Sequence, residues 1–450
     1  MLGQQVFENK KFHKFLNSNF ILYKAKRGEK TGDELFKKFN IRATPTILFL
    51  NSKGEEIDWI VGYGPPPEKF IEKLKNVVKR IDTFESLTEK YKKEPYNVEV
   101  VLKLAKKHER KYDEENRKKA EELYRKVLKL DPEGKKGTTD YGDSKVSCTE
   151  YAEFSLAELM NTFSQKRDPE PLKSFIKKYP ESKLLKYAYL YLSSYYRFLG
   201  TKEEAKKFFE EYTSKYPDNP VALNYYIYRI IRDKDNLDRG IELAEKIKKL
   251  TEYNPVPSYM KNLAELYTLK GEIDKADNVY GKSFIEGRVS RFVYDLRDYA
   301  DFWTKQNKNV ESAVEMMELA VKLKPDNSYL IQSAARMYIK LDKLEKAISI
   351  YGPEFVKSHS GKSGDLNSYA WFWANQEKNL ESALEAAKKS VELAPSHYNW
   401  DTLSLVYFKL KKYEDAIKAE EKAIELAGKP VKSYENRIKR IKEAMAKEKK

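Results

Sequence analysis

The chain contains 450 residues, carries a formal net charge of +16 and has a single cysteine, Cys148. This length suits two or three domains, and one cysteine excludes an internal disulfide. Acidic and basic residues alternate within the predicted helices, which is typical of solvated helix faces and argues against nucleic-acid binding. The sequence has no apolar run long enough to cross a membrane, so we expect no membrane partner.

Residues 1–81 combine strand-like apolar runs with short amphipathic segments. The predicted elements are a strand at Phe20–Tyr23, a short helix around Leu35–Phe39, a buried strand at 44–51, a turn at Ser52–Gly54, a strand at 57–63 and a helix after Pro67. A strand, a helix, a hairpin and a further helix in this order predict a small α/β domain.

The residues around the buried strand resemble the thioredoxin-like family. The resemblance is carried by Ala43-Thr44-Pro45-Thr46 before the strand, by Gly62 at the end of the hairpin and by the helix start at Pro67–Leu74. It implies a cis peptide bond between Thr44 and Pro45. It also implies that a central strand and a Cys-x-x-Cys pair would lie just before Met1. We therefore predict a thioredoxin-like domain that lacks its first strand and the start of its redox helix.

Thiol–disulfide exchange needs an attacking thiolate and a resolving thiol, and residues 1–81 contain no cysteine. We therefore predict that this domain is redox-inactive and that the chain is not an enzyme. The alternative is a fragment of a thiol–disulfide oxidoreductase whose Cys-x-x-Cys lies upstream. We expect a cytoplasmic location for the chain as it stands, and a periplasmic or exported one if an upstream signal and redox motif exist.

Residues 82–180 are predicted to form connecting helices, with a degenerate first repeat near 97–132 that contains Ala120, Tyr124 and Pro132. From residue 181 to 431, small and aromatic residues recur about every 34 positions, which indicates a helical repeat array. One small-residue column is Ala205, Gly240, Ala276, Ala313, Ala347, Ala383 and Ala416. A second is Ala264, Ala300, Ala335, Ala370 and Ser404, and an aromatic column three residues later is Tyr267, Trp303, Tyr338, Trp373 and Tyr407.

These columns resemble the tetratricopeptide repeat family. Small residues belong where neighbouring helices approach closely, and the aromatic residues fill the space between repeats. The fold class is thus predicted as mainly α, a tetratricopeptide-repeat solenoid preceded by the small α/β domain. Residues 306–325 also match 375–395, which suggests duplication of a two-repeat block.

Residues 432–450 are predicted to form a C-terminal capping helix. Tyr434, Ile438, Ile441 and Met445 form one apolar stripe, and the opposite face carries Arg437, Lys439, Arg440 and Lys442. A repeat array needs a terminal helix with a polar outer face. We therefore interpret the basic residues as a solvated face.

We predict that the chain is a protein-interaction scaffold that binds a protein or peptide partner in the concave groove of the repeats. The four histidines, His13, His108, His359 and His397, lack metal-ligand spacing. We find no P-loop, G-x-S-x-G or H-E-x-x-H motif in the sequence. The sequence therefore predicts no metal, cofactor or small-molecule substrate, although it does not identify which tyrosines line the groove.

Overall fold

The computed structural model describes residues 2–26, 29–111, 113–142, 144–163, 167–286, 293–428 and 431–448. The chain divides into two compact units, Met1–Arg229 and Ile230–Lys450. The first unit contains the α/β domain and the helices that follow it, and the second contains further helical pairs and the C-terminal helix.

The N-terminal domain is a two-stranded antiparallel sheet packed against helices. After a π-helical turn at Gly3–Phe7, its elements are α1 Lys10–Asn19, α2 Lys30–Lys38, β1 Thr46–Leu50, β2 Glu56–Val61 and α3 Pro67–Val78. Thr46 pairs with Val61 and Leu48 with Trp59. The buried core contains Val6, Phe12, Leu16, Phe49, Ile57, Phe70, Ile71, Leu74 and Val77. The strand β1, the hairpin and the last helix thus lie where the sequence predicts them, but β1 is only partly buried, with Phe49 inside and Leu50 exposed.

The predicted strand at Phe20–Tyr23 is wrong. Residues 20–26 form no regular element, and Ile21, Leu22 and Tyr23 are exposed. Phe20 alone packs inward, with its ring 5.8 Å from that of Phe49. A strand needs a hydrogen-bonded neighbour, and β1 pairs only with β2 among the described residues.

The connecting region is helical with one short hairpin. Its elements are α4 Phe84–Lys93, α5 Val98–Glu109, α6 Glu114–Leu130, β3 Thr138–Tyr141, β4 Ser144–Ser147, α7 Cys148–Phe163 and α8 Glu170–Lys178. In the degenerate repeat, Ala120 and Tyr124 of α6 are fully buried. The hairpin escaped prediction because its strands are short, polar and only partly buried.

The repeats follow as pairs of antiparallel helices. Their bounds are α9 Leu185–Tyr196, α10 Lys202–Lys215, α11 Pro220–Asp233, α12 Leu237–Leu250, α13 Pro257–Leu269, α14 Ile273–Tyr280, α15 Lys282–Glu286, α16 Val293–Gln306, α17 Val310–Leu323, α18 Ser328–Lys340, α19 Leu344–Ile350, α20 Pro353–Ser358, α21 Ser363–Gln376, α22 Leu380–Leu393, α23 His397–Lys409, α24 Tyr413–Ala427 and α25 Lys432–Glu448. In each later pair, a first helix such as α16, α18, α21 or α23 packs against the second helix that follows it.

The second helices of two repeats are broken at a Tyr-Gly step. Gly281 separates α14 from α15, and Gly352 separates α19 from α20. A Cβ atom would lie 2.3 Å from the Asp277 carbonyl oxygen at the first position and 2.1 Å from the Ile348 carbonyl oxygen at the second. Only glycine therefore fits at these breaks, a feature that the repeat period did not reveal.

The small-residue columns lie at close helix contacts. The alanines of both columns and Ser404 are fully buried. At Gly240, a Cβ atom would lie 2.8 Å from Leu266 Cδ2 and 2.9 Å from Ile230 Cγ2. Small side chains are therefore required by packing at these positions.

Replacing Ala383 by tryptophan should lower the free energy of unfolding by more than ~2 kcal/mol, because the fully buried site has no space for an indole. Urea denaturation of the full chain measures this change. Glu385→Trp, on the exposed side of the same helix α22, is the matched control and should be nearly neutral. Equal midpoints for the two variants would contradict the assigned repeat register.

The C-terminal helix α25 packs on α24. Tyr434 and Ile441 of its predicted apolar stripe are buried. The interpretation of Arg437 as part of a solvated face is wrong, because its Nη2 atom lies 2.9 Å from Asp401 Oδ1 and its Nε atom 3.5 Å from Glu420 Oε1. The fully buried Glu420 and the partly buried Asp401 therefore pair with this arginine and keep it out of the exposed basic face.

Candidate protein-interaction surface

The first helices of the second unit expose a set of large aromatic side chains. These are Tyr294, Tyr329, Trp371 and Tyr398, with 45–66% of each exposed. Tyr294, Tyr329 and Tyr398 each lie six residues before the buried small residue of their own helix. Aromatic residues that recur at exposed positions supply contact area for a partner.

Tyr294 of α16 and Tyr329 of α18 are joined by an arginine. The Arg297 guanidinium carbon lies 5.9 Å from the Tyr294 ring and 4.9 Å from the Tyr329 ring. Arg297 also donates a hydrogen bond to the Tyr329 hydroxyl, and Asn327 Nδ2 donates one to the Tyr294 hydroxyl at 3.0 Å. These contacts hold both rings in place across neighbouring first helices.

The surface continues from α18 to α21. Gln332 Nε2 donates to the Ser368 carbonyl oxygen at 3.4 Å, which ties the two helices together. Arg336 follows Gln332 by four residues and Trp371 follows Ser368 by three, and both side chains are exposed. The Arg336 guanidinium carbon lies 5.9 Å from the Phe372 ring. We call the surface formed by Tyr294, Arg297, Tyr329, Arg336 and Trp371 the first-helix face.

One charged group of this face remains available to a ligand. Arg336 is exposed and has no carboxylate within ion-pair distance in the described part of the chain. The Asn367 Oδ1 atom of α21 also has no hydrogen-bond partner among the described residues, but it is buried. The first-helix face therefore offers aromatic area and one cation.

Buried tryptophans fix the helices beneath this face. Trp303 Nε1 donates to the Tyr280 carbonyl oxygen at 2.9 Å, and Trp373 Nε1 donates to the Tyr351 carbonyl oxygen at 2.7 Å. Both acceptors belong to the residue before a helix break, where the carbonyl is free to accept. The contact thus recurs after 70 residues, in keeping with the suggested duplication.

The predicted repeat-packing residues support the surface but do not form it. Trp303 and Trp373 are fully buried, Tyr267 and Tyr338 nearly so, and Tyr407 is partly buried. The aromatic residues that are exposed were not selected from the sequence. The available signal was their spacing, since Tyr294, Tyr329 and Tyr398 keep the same period as the alanines.

The predicted proline site lies in the N-terminal domain. The Thr44–Pro45 peptide bond is cis, and the Pro45 carbonyl oxygen accepts a hydrogen bond from Gly62 N at 2.8 Å. The hydrogen bond between Gly62 and Pro45 places the end of β2 beside the start of β1. The domain itself contributes no thiol, because residues 1–81 contain no cysteine.

Chemical groups elsewhere are either buried or scattered. Cys148 is fully buried, and burial, with Glu99 and Asp131 nearby, raises the pKa of its thiol to about 12. His359 packs on Phe355 with ring centres 3.9 Å apart. Within the described ranges, His, Cys, Asp and Glu side chains form no cluster that could hold a metal ion. The described helices also include none of sufficient length and apolarity to span a bilayer.

Three protein families match parts of the sequence. A thioredoxin-like domain matches residues 1–78, and a tetratricopeptide repeat matches residues 187–219. Residues 303–448 match ChAPs, the Chs5p-Arf1p-binding proteins. The predicted combination of a thioredoxin-like domain with tetratricopeptide repeats is therefore confirmed.

Individual proteins that are similar to the chain are described as tetratricopeptide repeat proteins. The chain is 22% identical over 200 residues to a TPR repeat-containing protein of Methanocaldococcus jannaschii, a match that covers 42% of this chain and 33% of the relative. The match thus spans about a third of that relative. A tetratricopeptide repeat protein from Parabacteroides merdae is similar with a TM-score of 0.36 and 14% identity, covering 65% of this chain and 98% of that one. YrrB, a TPR protein with an unusual peptide-binding site, has a TM-score of 0.22 and 14% identity, covering 48% of this chain and 91% of its own.

Proposed function

We propose that this tetratricopeptide repeat protein, with its N-terminal thioredoxin-like domain, is an interaction scaffold that binds a partner segment along its first-helix face. The two family matches in the repeat region, to the tetratricopeptide repeat and to ChAPs, both support binding of a protein. The ChAPs family is named for binding Chs5p and Arf1p, and its match covers Trp371 and Arg336 of the face. The exposed aromatic residues on successive first helices are the single observation that carries the proposal.

The bound segment would be extended or helical and would contain apolar side chains. Tyrosine and tryptophan bury large areas with little loss of side-chain entropy, which is why they dominate binding energy at interfaces. Tyr294 and Tyr329 are already ordered by Arg297, so a partner would not bear the cost of ordering them.

We assign no redox reaction to the thioredoxin-like domain of this chain. The nucleophile would have to be a thiolate, and residues 1–81 supply no cysteine. The thiol of Cys148 is buried and held neutral by its raised pKa. A role for the N-terminal domain in holding or presenting a partner fits these observations better than catalysis.

Short random peptides displayed on phage and panned against the full chain test this proposal. Selected peptides should be rich in aromatic or aliphatic residues. Their affinity, measured by fluorescence anisotropy, should fall at least ~30-fold for Trp371→Ala or Tyr329→Ala, since hot-spot truncations cost about 2 kcal/mol or more.

Tyr253→Ala is the matched control. Tyr253 is fully exposed in the same unit but lies in the turn after α12, outside the first-helix face. This variant should bind the selected peptides as the wild type does. Peptides whose affinity is unchanged in both Trp371→Ala and Tyr329→Ala would move the binding site away from the face.

A further inference from the structure

A separate cavity of about 640 Å³ opens in the first unit between α8 and α10, with α9 beneath it. The helices α9 and α10 are the two helices of the repeat matched at residues 187–219, and α8 precedes them. The cavity is thus bounded by second helices and is distinct from the first-helix face. Its volume lies within the range of pockets that hold ligands.

The floor of the cavity is aromatic. Tyr189, Tyr196 and Phe208 line it, and the Phe208 ring stacks on Tyr196 at 4.8 Å and on Tyr189 at 6.0 Å between centres. Leu192 completes this floor. The rings are already packed, so a flat or branched apolar side chain could bind against them with little rearrangement.

The rim of the cavity is basic. Four lysines line it, Lys173 and Lys177 from α8 and Lys207 and Lys215 from α10. Lys173 lies 2.7 Å from Glu170, whereas Lys177, Lys207 and Lys215 have no carboxylate within ion-pair distance in the described part of the chain. Three cations at one rim therefore lack an internal counter-charge.

The two acidic residues of the lining accept hydrogen bonds from groups other than the lysines. The Glu204 carboxylate accepts a hydrogen bond from Thr201 N at 2.9 Å, as part of the cap of α10. Glu211 accepts a hydrogen bond from the Tyr189 hydroxyl. Neither carboxylate lies within ion-pair distance of Lys177, Lys207 or Lys215. The four lysines of the lining outnumber its two glutamates, so the rim keeps a positive charge and attracts a negatively charged ligand.

We propose that this cavity is a second docking site that takes an acidic partner segment carrying one aromatic or large aliphatic side chain. The apolar side chain would occupy the aromatic floor, and flanking carboxylates would pair with Lys177, Lys207 and Lys215. This inference rests on the proposed scaffold function and names the chemistry of a further partner segment. Two sites with different preferences would let one chain hold two segments at once, which raises the effective affinity for a partner carrying both.

The test uses a fluorescein-labelled peptide, Glu-Glu-Trp-Glu-Glu, with the full chain and fluorescence anisotropy. The peptide should bind, and its affinity should fall as salt is added. A peptide with lysine at each glutamate should not bind, and one with glycine in place of tryptophan should bind at least ~10-fold more weakly, because it leaves the floor empty.

Charge-reversal variants then locate the site. Lys177→Glu, Lys207→Glu and Lys215→Glu combined should weaken binding at least ~10-fold. The matched control combines Lys183→Glu, Lys186→Glu and Lys206→Glu, which change the same net charge at exposed positions outside the cavity lining. Equal loss in both triple variants would overturn the proposal, as would binding to phosphatidylserine vesicles without binding to the peptide.

The Trp371→Ala variant separates this inference from the scaffold function itself. It should bind the acidic peptide as the wild type does, because Trp371 lies in the other unit. If the acidic peptide fails to bind while phage-selected peptides still require Trp371, the cavity proposal is wrong and the first-helix face stands. If the acidic peptide binds but no phage-selected peptide requires Trp371, the cavity proposal stands and the first-helix face is wrong.

Discussion

Replacing Asp58 by alanine should lower the free energy of unfolding of the first unit by about 3 kcal/mol, because it leaves a partly buried cation without its partner. Both carboxylate oxygens of Asp58 lie 2.6 Å from Lys107 Nζ of α5, and Oδ1 also accepts a hydrogen bond from Phe84 N at 3.3 Å. Asp58 is almost fully buried. Chemical denaturation of the full chain measures the loss.

An exposed ion pair of the same domain supplies the control. Lys11 Nζ lies 2.7 Å from Glu68 Oε1, but both side chains are more than half exposed. Glu68→Ala should therefore cost less than about 1 kcal/mol. Replacing both Asp58 and Lys107 by leucine should recover part of the loss, since no buried charge is then left over. If the Asp58→Ala and Glu68→Ala variants were equally stable, the Asp58–Lys107 ion pair would have no structural role.

This ion pair has a consequence for the thioredoxin-like domain. Next to Asp58, the Trp59 ring lies 4.7 Å from that of Phe84 and Lys111 Nζ lies 4.4 Å from the Trp59 ring. Lys111 also pairs with Glu56 at 2.5 Å. Glu56, Asp58 and Trp59 of β2 therefore all contact the connecting region. We expect the thioredoxin-like domain and α5 to unfold together.

The repeat fold could be predicted because packing repeats. A small residue is required wherever two helices approach closely, so Ala276, Ala313 and Ala383 recur with the period of the helical pairs. The hairpin β1–β2 could be predicted for a similar reason, since two strand-like apolar runs flank a turn that ends at Gly54. Patterns that follow from local geometry are visible in sequence.

Features set by distant partners could not be predicted. The segment Phe20–Tyr23 has the composition of a strand, yet its state depends on a neighbour that local sequence does not provide. Arg437 was placed with the other basic residues of its helix, because Asp401 and Glu420 are 36 and 17 residues away in sequence. Tertiary contacts determine both outcomes.

The candidate surfaces lie between these cases. Tyr294 and Tyr329 share the repeat period, so their common position could be read from sequence, but their exposure could not. The basic cavity could not be predicted from the sequence, because Lys177 and Lys207 are two of many lysines in it. Only the packing of α8 and α10 brings them to one rim. Sequence reasoning thus located the repeats, and the structure selected which side chains are free to bind.

The stability of the second unit should fall as the pH rises from about 5 to 8, owing to the carboxylate of Glu420. This side chain is fully buried, and burial raises its pKa to about 8, with Asp401 adding to the shift and Ser404 and Arg437 opposing it. Burial also raises the pKa of Asp401, against the pull of Arg437. The two acids therefore resist carrying charge together beneath the C-terminal helix.

The sign follows from proton binding. The folded state keeps the proton on Glu420 to a higher pH than the unfolded chain does, so stability is fully present below the unfolded pKa of about 4.5 and is lost as the pH approaches 8. The loss should be as much as ~1.4 kcal/mol per pH unit within this window. Glu420→Gln removes the titrating group while keeping its shape, so thermal unfolding of this variant should depend less on pH than that of the wild type.

Glu443→Gln provides the comparison, because Glu443 is an exposed residue of α25, the helix that packs on the helix α24 of Glu420. It changes the net charge equally and should leave the pH dependence of the wild type intact. Other acids with a raised pKa, such as the partly buried Glu158 of the first unit, whose pKa burial raises to about 7, contribute the same slope to all three proteins and cancel in the comparison. A Glu420→Gln curve parallel to the wild type across pH 5 to 8 would show that Arg437 keeps Glu420 ionised throughout. The docking of α25 would then be a fixed ion-pair contact, and neutral solutions would not loosen it.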